Sequence, residues 1–295
     1  MVKVWRRNWT SEARRYASAD AIVVSIPKSG RTWFRVFLHA YFCALEKREF
    51  TLRARELFKG NVPRFLFTHD LWAHLTGPRV GDRITGRQLI PAPAIRQKRI
   101  LLLSRDPRDV VVSLFFQHSR RTRRYGGDLH EMIHHSRFRI SRMVDIMNTW
   151  MVEWGGGGNF KLIRYEDCRR YPEAVFRELL TFFGCREIDA GPFAHAVEFS
   201  RFENMRAMEA AGKAKKKTLL PGDAADPDSY KVRRGRVGGF KDYLSPEDVA
   251  YLERALERLD ERYGYGRKSG SSSAGVDPAN SSPAKAGGAA ERLID

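Results

Sequence analysis

The stretch AIVVSIPKSGRTWFRVFLHAY, residues 21–41, constrains the fold more than any other part of the chain. It begins with β-prone apolar residues at 22–26, passes through a turn at 27–30, and continues with apolar side chains at i, i+3, i+4 and i+7 from Phe34. This order predicts a buried strand, a tight loop and an amphipathic helix. A loop of this shape at a helix N-terminus is typical of a phosphate-binding site.

Strand and helix patterns alternate along the rest of the chain. Short apolar stretches predict strands, and runs with a 3.6-residue period predict helices. Such alternation favours a single α/β domain with a central parallel β-sheet flanked by helices on both faces, in which ligands bind at the carboxyl ends of the strands. Further strands are predicted at 64–70, 99–107 and 159–167, and helices at 31–46, 107–119, 171–184 and 245–264, with another through 143–150.

Composition divides the chain into three parts. Residues 267–295 are rich in Gly, Ser, Ala and Pro and contain no aromatic residue, so they cannot bury enough apolar surface to offset the chain entropy lost on folding. We predict a basic N-terminal extension at 1–19, a folded domain at 20–266 and a disordered tail at 267–295.

The net charge of +18 makes the surface attractive to anions. Nucleic acid, an anionic membrane surface, and a polyanionic nucleotide with an acidic acceptor all fit this charge. Cys43, Cys168 and Cys185 show no CxxC spacing, which predicts reduced thiols. The N-terminus has no apolar core region, and the longest apolar run, 110–116, is too short to span a bilayer. We therefore predict a cytoplasmic protein.

The loop at 27–30 has the groups that an anion needs. Gly30 lets the backbone approach a phosphate closely, Ser29 and Thr32 add hydroxyl donors, and Lys28 adds a cation. A Walker A loop places its lysine after the glycines. Here Lys28 precedes Gly30, and no Mg²⁺-binding acidic residue closes a following strand, so an ATPase is disfavoured.

The segment PKSGRTW, residues 27–33, resembles the PKSGTTW loop of the cytosolic-type sulfotransferases, which use 3′-phosphoadenosine-5′-phosphosulfate (PAPS) as sulfuryl donor. Four more segments resemble motifs of this family in the family's order, and the resemblance covers roughly residues 20–265. They are RDPRDVVVS (105–113), LIRYED (162–167), SRFENM (200–205) and RRGRVGGFKDYLS (233–245). The resemblance implies a P-loop-like fold.

The resemblance also implies a nucleotide site built from all five segments. Its members are the loop residues Lys28, Ser29, Gly30, Arg31, Thr32 and Trp33; Arg105 and Ser113, which align with residues that bind the donor's 3′-phosphate; Tyr165, Ser200 and Phe202, which align with nucleotide contacts; and Arg233, Arg234 and Gly235, which align with a segment that closes over the 3′-phosphate.

The implied reaction is transfer of a sulfuryl group to a hydroxyl, or less favourably an amine, with 3′-phosphoadenosine 5′-phosphate (PAP) as product. Such a transfer passes through a loose, in-line transition state, so positioning and fixed positive charge matter most. Lys28 is predicted to stabilise the leaving oxygen, which requires no metal, and His69, at the end of a short strand, to act as base. By resemblance, Ser113 also restrains Lys28 until an acceptor arrives.

Three positions depart from the family's pattern. Arg31 stands where Thr is most frequent, Phe240 stands where Trp is found, and Phe67 precedes Thr68-His69 where animal members often carry Lys. These departures suggest a bacterial-type branch. They leave the acceptor open: a small molecule or a glycan.

Each site assignment has a structural alternative. His69 could cap or pack, Arg105 could form an ion pair with Asp109 one turn on, and Tyr165, Phe202 and Trp33 could belong to the core. Lys28 could be an exposed loop lysine.

Two other functions compete with sulfuryl transfer. HEMIH (130–134) has the HExxH pattern of zinc hydrolases, but no downstream GxxH supplies a third ligand, so we predict no metal site and a solvated helix on the acceptor side. Basic residues crowd 96–124, which fits a nucleic acid or another polyanion, but no nucleic-acid-binding motif accompanies them. The arginines at 120–124 fit equally an acidic or glycan acceptor, or a membrane surface.

Overall fold

The computed structural model describes residues 10–53, 62–76, 81, 88–212 and 219–266. The predicted tail at 267–295 and residues 1–9 of the predicted extension lie outside these ranges. The elements are α1 (Thr10–Ala17), β1 (Ala21–Ser25), α2 (Arg31–Leu45), β2 (Phe65–Thr68), α3 (Asp70–Thr76), α4 (Ala92–Gln97), β3 (Arg99–Ser104), α5 (Pro107–Phe116), a π turn (Gln117–Arg121), α6 (Leu129–His134), α7 (Ile140–Trp154), β4 (Phe160–Arg164), α8 (Tyr165–Arg170), α9 (Pro172–Phe182), α10 (Ala190–Phe199), α11 (Phe202–Ala210), α12 (Pro246–Leu256), and 3₁₀ turns at Pro227–Ser229, Gly239–Asp242 and Glu261–Tyr263.

The four strands form one parallel sheet in the order β2-β1-β3-β4. Alternate residues of β1 enter different cores, because successive side chains of a strand point to opposite faces. Ile22 and Val24 belong to a core with Trp150, whereas Val23 packs with Phe34 on the other face. Both faces of the sheet are therefore covered, and the predicted α/β class with a central parallel sheet is confirmed.

The local signals in the sequence explain most element boundaries. The Asp106 side chain accepts a hydrogen bond from the backbone N–H of Arg108 and caps α5, with Pro107 at its first position. Ser245 caps α12 in the same way, through the N–H of Asp248. Helix α9 ends at Phe182, and Gly184 just beyond it has a φ of 96°, so this glycine stops the helix as predicted.

Several predicted elements end earlier than expected. The strand predicted at 159–167 stops at Arg164, because Tyr165 begins α8, where Glu166 and Asp167 provide acidic residues in a first helical turn. The helix predicted at 107–119 changes to the π turn after Phe116, and that predicted at 245–264 stops at Leu256.

The N-terminal segment takes part in the core. Tyr16, on α1, is fully buried, and its hydroxyl donates hydrogen bonds to Thr68 Oγ1 at 3.3 Å or to the Gln88 carbonyl at 3.1 Å. Across the described ranges, no helix combines the length and apolarity that crossing a membrane would require. Cys43 and Cys168 are buried, free thiols.

A buried carboxylate ties the segment after β2 to the opposite layer. Asp70 is fully buried with a φ of 40°; its Oδ1 accepts the backbone N–H of Ile90 at 2.7 Å, and its Oδ2 accepts the indole N–H of Trp150 at 2.8 Å. A buried donor that loses its acceptor costs its full desolvation penalty. Asp70 therefore fixes the residue beside it, His69.

We expect Asp70→Ala to lower the free energy of unfolding by about 2–4 kcal/mol, because two buried N–H donors lose their acceptor. Urea unfolding followed by circular dichroism measures this change. Asp189→Ala is the matched control, because Asp189 accepts one N–H, that of Gly191, at an exposed helix cap and should cost about 1 kcal/mol. Equal losses in the two variants would contradict the assignment.

Candidate active site

The carboxyl ends of all four strands meet around one cavity of about 960 Å³. Residues that come after each strand line it: the loop at 27–30 after β1, His69 after β2, Arg105 after β3 and Tyr165 after β4. Because the strands are parallel, these ends share one edge of the sheet, where open α/β sheets bind ligands.

The loop after β1 requires glycine at position 30. Gly30 has a φ of 92°, and a Cβ placed on it would lie 2.7 Å from Cδ2 of Tyr165. Gly30 is also the N-cap residue of α2, with no side chain capping that end. The first N–H groups of α2 are therefore available to an anion in the cavity.

Lys28 lines the cavity and is held in place by a hydrogen bond. Its φ is 75°, and its Nζ donates a hydrogen bond to Gln117 Oε1 at 3.3 Å. Burial, together with the neighbouring charges of Arg121 and Arg105, lowers the pKa of Lys28 to about 7. The alternative of an exposed loop lysine is wrong, because Lys28 is desolvated and lies among other cations. The restraint expected from Ser113 is made here by Gln117, one turn further along.

His69 is oriented by two hydrogen bonds. Its Nδ1 lies 2.7 Å from the carbonyl of Ser25, so Nδ1 carries the proton, and its Nε2 accepts a hydrogen bond from Arg31 Nη2 at 2.7 Å. Burial and the charge of Arg31 hold the pKa of His69 well below its usual value. His69 is thus a neutral imidazole whose basic nitrogen is covered by Arg31.

Arg105 connects the loop to the segment at 233–240. It donates to the carbonyl of Lys28 at 3.2 Å and to that of Arg236 at 3.0 Å, and its guanidinium lies 4.5 Å from the ring centre of Tyr165. The ion pair with Asp109, weighed as an alternative, is present at 3.5 Å. Arg105 therefore forms this ion pair and also lines the cavity.

The two carboxylate oxygens of Asp109 hold the same segment. They accept the backbone N–H groups of Gly238 and Phe240, each at 2.9 Å. Asp109 is 3% exposed, so these bonds are shielded from water. They place Gly235 and its neighbours across the cavity from the loop.

The rings of Phe202 and Tyr165 lie against the segment at 233–240. Gly235 has a φ of 60°, and a Cβ there would lie 2.6 Å from Cδ2 of Phe202. The hydroxyl of Tyr165 donates to the carbonyl of Gly235 at 3.3 Å. Arg233 and Arg234 both donate to the hydroxyl of Tyr243, at 2.6 and 2.8 Å.

Most residues predicted for the site come together at the cavity. Ser29 and Ser200 do not line it: Ser29 is 1% exposed, and the fully buried hydroxyl of Ser200 donates to the carbonyl of Val197 at 3.2 Å. The cavity wall includes Lys28, Gly30, Arg31, Thr32, Trp33, His69, Arg105, Ser113, Tyr165, Phe202, Arg233, Arg234 and Gly235. Trp33 also packs edge-on against Phe176 in the core, 5.4 Å between ring centres.

Sequence reasoning missed much of the end of the cavity near His69. The missed lining residues include Trp72, Gln117, His118, Arg137, Phe138 and Lys231. Arg121 and Arg124 belong to the arginine cluster that stood out in the sequence. Lys231 sits two residues before the RRG segment, which could have flagged it. Trp72 and Phe138 carry no such signal, because only the fold brings them to the wall.

Positive charge dominates the wall. Among the described lining residues the acidic side chain is that of Asp109, whereas ten are lysine or arginine besides Lys28. Burial, followed by the charges of Lys28 and Arg121, holds the pKa of Lys231 well below its usual value. A cavity in which cations depress one another's pKa values attracts anions strongly.

Comparisons with known proteins agree on one family. A family model described as "Sulfotransferase domain" matches residues 18–264. Cytosolic sulfotransferase 16 of Arabidopsis thaliana is 24% identical over 258 residues, which cover 81% of this chain and 75% of that protein. Cytosolic sulfotransferase 10 of the same plant is 27% identical over 266 residues, covering 81% and 77%.

Solved structures share the fold. Mouse sulfotransferase SULT7A1 complexed with PAP matches with a TM-score of 0.56 and 16% identity over 81% of this chain and 84% of that one. Retinol dehydratase in a complex with retinol and PAP matches with a TM-score of 0.57 and 17% identity over 82% of each chain.

We expect inorganic sulfate to bind this cavity more tightly as the pH falls from 8 to 6. A bound anion favours charged Lys28, so binding takes up a proton, and the protonated fraction of a lysine with a pKa of about 7 rises about tenfold over this range. Thermal-shift titrations with sodium sulfate at constant ionic strength measure the effect.

Lys28→Met is the matched variant, because it keeps an unbranched side chain only one atom shorter and removes its charge. An unchanged pH dependence in Lys28→Met would show that another group controls sulfate binding.

Proposed function

The chain belongs to the sulfotransferase family, and on that premise we propose that it moves a sulfuryl group from PAPS to an acceptor hydroxyl. The proposal rests on one observation: Lys28, His69 and Arg105 line the same cation-rich cavity at the strand ends. PAP, present in the mouse sulfotransferase and retinol dehydratase structures, is the proposed product.

We propose that the donor occupies the side of the cavity formed by the loop and the segment at 233–240. The N–H groups at the start of α2 and Lys28 would bind the 5′-phosphosulfate, as the open helix N-terminus favours. Arg105, Ser113 and residues 233–235 would bind the 3′-phosphate. Tyr165, Phe202 and Trp33 would contact the adenine, since the first two rings already border the cavity beside Gly235.

In the proposed step, the acceptor oxygen attacks sulfur in line with the leaving phosphate oxygen. The new oxygen–sulfur bond forms as the bond to the 5′-phosphate oxygen breaks, and protonated Lys28 stabilises the charge that grows on that oxygen. The acceptor proton passes to Nε2 of His69. Lys28 and backbone donors supply the positive charge, so the step calls for no metal.

His69 can accept this proton only when Arg31 moves. The Nε2 lone pair is engaged by Arg31 Nη2 in the acceptor-free cavity. An acceptor hydroxyl would therefore take the place of this N–H. Gln117 plays a parallel part for Lys28, whose hydrogen bond to Oε1 has to yield before Nζ reaches the leaving oxygen.

The two competing functions find no support. HEMIH lies on α6, none of whose residues lines the described cavity, so the predicted placement on the acceptor side is wrong. The basic residues Arg105, Arg121 and Arg124 converge on a cavity rather than on an open face. The names of the curated relatives and the free thiols support a cytoplasmic location as part of the proposal.

Calorimetric titration of the chelator-treated protein with PAP, and with AMP as control, tests the donor site. We expect PAP to bind at least about a hundredfold more tightly, because AMP lacks the 3′-phosphate that Arg105 would pair with. Arg105→Ala should remove most of this preference. Equal affinities for PAP and AMP would sink the proposal.

His69→Ala and Lys28→Ala separate binding from chemistry. Both variants should lose most turnover of PAPS with an acceptor, whereas His69→Ala should keep wild-type affinity for PAP, since His69 is proposed to contact the acceptor alone. Lost PAP affinity in His69→Ala would move this residue to a binding role. Near-normal turnover in Lys28→Ala would refute its role.

We further propose that the acceptor carries an anionic group. Beyond the donor side, the wall holds Arg124 and Arg137 near His118, whose pKa burial and these two arginines lower to about 4. Both arginines are exposed, so solvent faces their guanidinium groups when no acceptor is bound, and a carboxylate, phosphate or sulfate on the acceptor would pair with them. The same anionic group would favour the release of Arg31 from His69.

We expect PAP-saturated protein to bind 4-hydroxyphenylacetate at least about tenfold more tightly than its neutral amide, a difference of about 1.4 kcal/mol. Arg137→Gln should reduce the difference, whereas Arg258→Gln, a change at an exposed arginine outside the cavity, should not. Calorimetry measures both affinities. Tighter binding of the amide would point to a neutral acceptor.

A further inference from the structure

The HEMIH segment has a partner that the sequence alone did not reveal. His130 and His134 lie four residues apart on α6, so their side chains share one face of the helix. Asp248, in the first turn of α12, lies against both of them. The fold thus supplies the third group whose absence argued against a metal site.

The three side chains are close enough to bind one ion. Asp248 Oδ1 lies 2.7 Å from His130 Nδ1 and 3.3 Å from His134 Nε2, and all three ligand atoms lie within 4.8 Å of one another. Bonds of 2.0–2.2 Å in a tetrahedral site put ligand atoms about 3.3 Å apart. The side chain of His130 is 54% exposed, so it can turn to open its 2.7 Å contact with Asp248 to about 3.3 Å and to close any wider separation in the group.

Neighbouring groups orient two of the three side chains. The hydroxyl of Ser245 donates to Asp248 Oδ2 at 2.9 Å, which leaves Oδ1 facing the imidazoles. The ring of His134 packs on Tyr251, with 3.8 Å between ring centres. Such outer contacts fix the direction of metal-binding groups in proteins. His134 and Asp248 are also mostly buried, at 16% and 9% side-chain exposure.

We propose that His130, His134 and Asp248 bind a divalent zinc-type ion that links α6 to α12. Two imidazoles and one carboxylate suit zinc, and each imidazole can present a lone pair by shifting its proton to its other nitrogen. The ion would replace the two hydrogen bonds to Oδ1. This site is separate from the cavity proposed for sulfuryl transfer and does not depend on it.

Glu131 takes no part in the proposed site. Burial and the Glu131 carboxylate together raise the pKa of Tyr125, so this carboxylate lies beside the tyrosine hydroxyl, and the Glu131 backbone N–H donates to Asp128 Oδ1 at 2.8 Å. In a zinc hydrolase this glutamate would act as the base beside the metal. The proposed ion is therefore a structural one.

The proposed ion would restrain a segment of chain whose two ends line the cavity. The segment that contains α6 runs between Arg124 and Arg137, which both line the cavity. An ion that joins α6 to α12 would fix this segment at its middle. It would reduce the freedom of both arginines without touching either.

Calorimetric titration of the chelator-treated full chain with ZnCl₂ at pH 7.5 tests the proposal. We expect one zinc ion per chain, and we expect His134→Ala and His130→Ala each to weaken binding by at least about tenfold. His130→Ala changes an exposed side chain and keeps the test valid if His134→Ala fails to fold. Zinc should also raise the melting temperature of the wild-type protein, and Mg²⁺, which prefers oxygen ligands, should not.

Glu131→Gln is the matched control within the same five residues. It should bind zinc as the wild-type chain does. Either of two results would overturn the assignment. His130→Ala could bind zinc as tightly as the wild-type chain does, or Glu131→Gln could lose as much affinity for zinc as His134→Ala. The absence of zinc binding to the wild-type chain would overturn it as well.

Discussion

Repulsion between cations at the strand ends is the constraint on which the architecture of the site depends. Lysines and arginines from several elements converge there, and the folded chain must hold them together without a bound anion. Two buried carboxylates make this possible. Asp109 accepts two backbone N–H groups of the segment at 238–240, and Glu209, fully buried, accepts those of Lys231 and Val232 at 2.7 and 2.9 Å. The segment between these anchors is pinned over the cavity by groups that also offset its positive charge.

This arrangement explains why the two reactive groups are restrained. Lys28 is bound by Gln117 and His69 by Arg31, so neither faces the open cavity with an unpaired polar atom at its tip. Anions that enter would compete for the same donors. Binding and release of these side chains are therefore coupled by ordinary electrostatics, and no movement of a domain is required.

The sequence predicts the strands and helices around this site better than the side-chain contacts within it. β1 and β3 follow from short apolar runs, α2 from a regular helical period and α5 from a capping aspartate, all of which are local signals. Ser200 does not line the cavity, because a match to a nucleotide-contacting segment does not say which way a hydroxyl points; its hydroxyl donates to the carbonyl of Val197. The bond between Arg31 and His69, and the contact of Asp248 with α6, join residues far apart in sequence. No pattern in a single chain specifies such pairs, because they depend on how layers pack.

The π turn at 117–121 gives the cavity wall an unusual dependence on chain length. A π turn contains one residue more than an α turn, and this one carries both Gln117 and Arg121 to the wall. Removing a single residue here would restore α-helical geometry and rotate the adjoining downstream residues by about 100°. His118 and Arg121 would then leave their positions together, and Lys28 would lose the neighbouring charge of Arg121. A one-codon deletion could therefore remodel one end of the cavity in a single evolutionary step, which a substitution could not do.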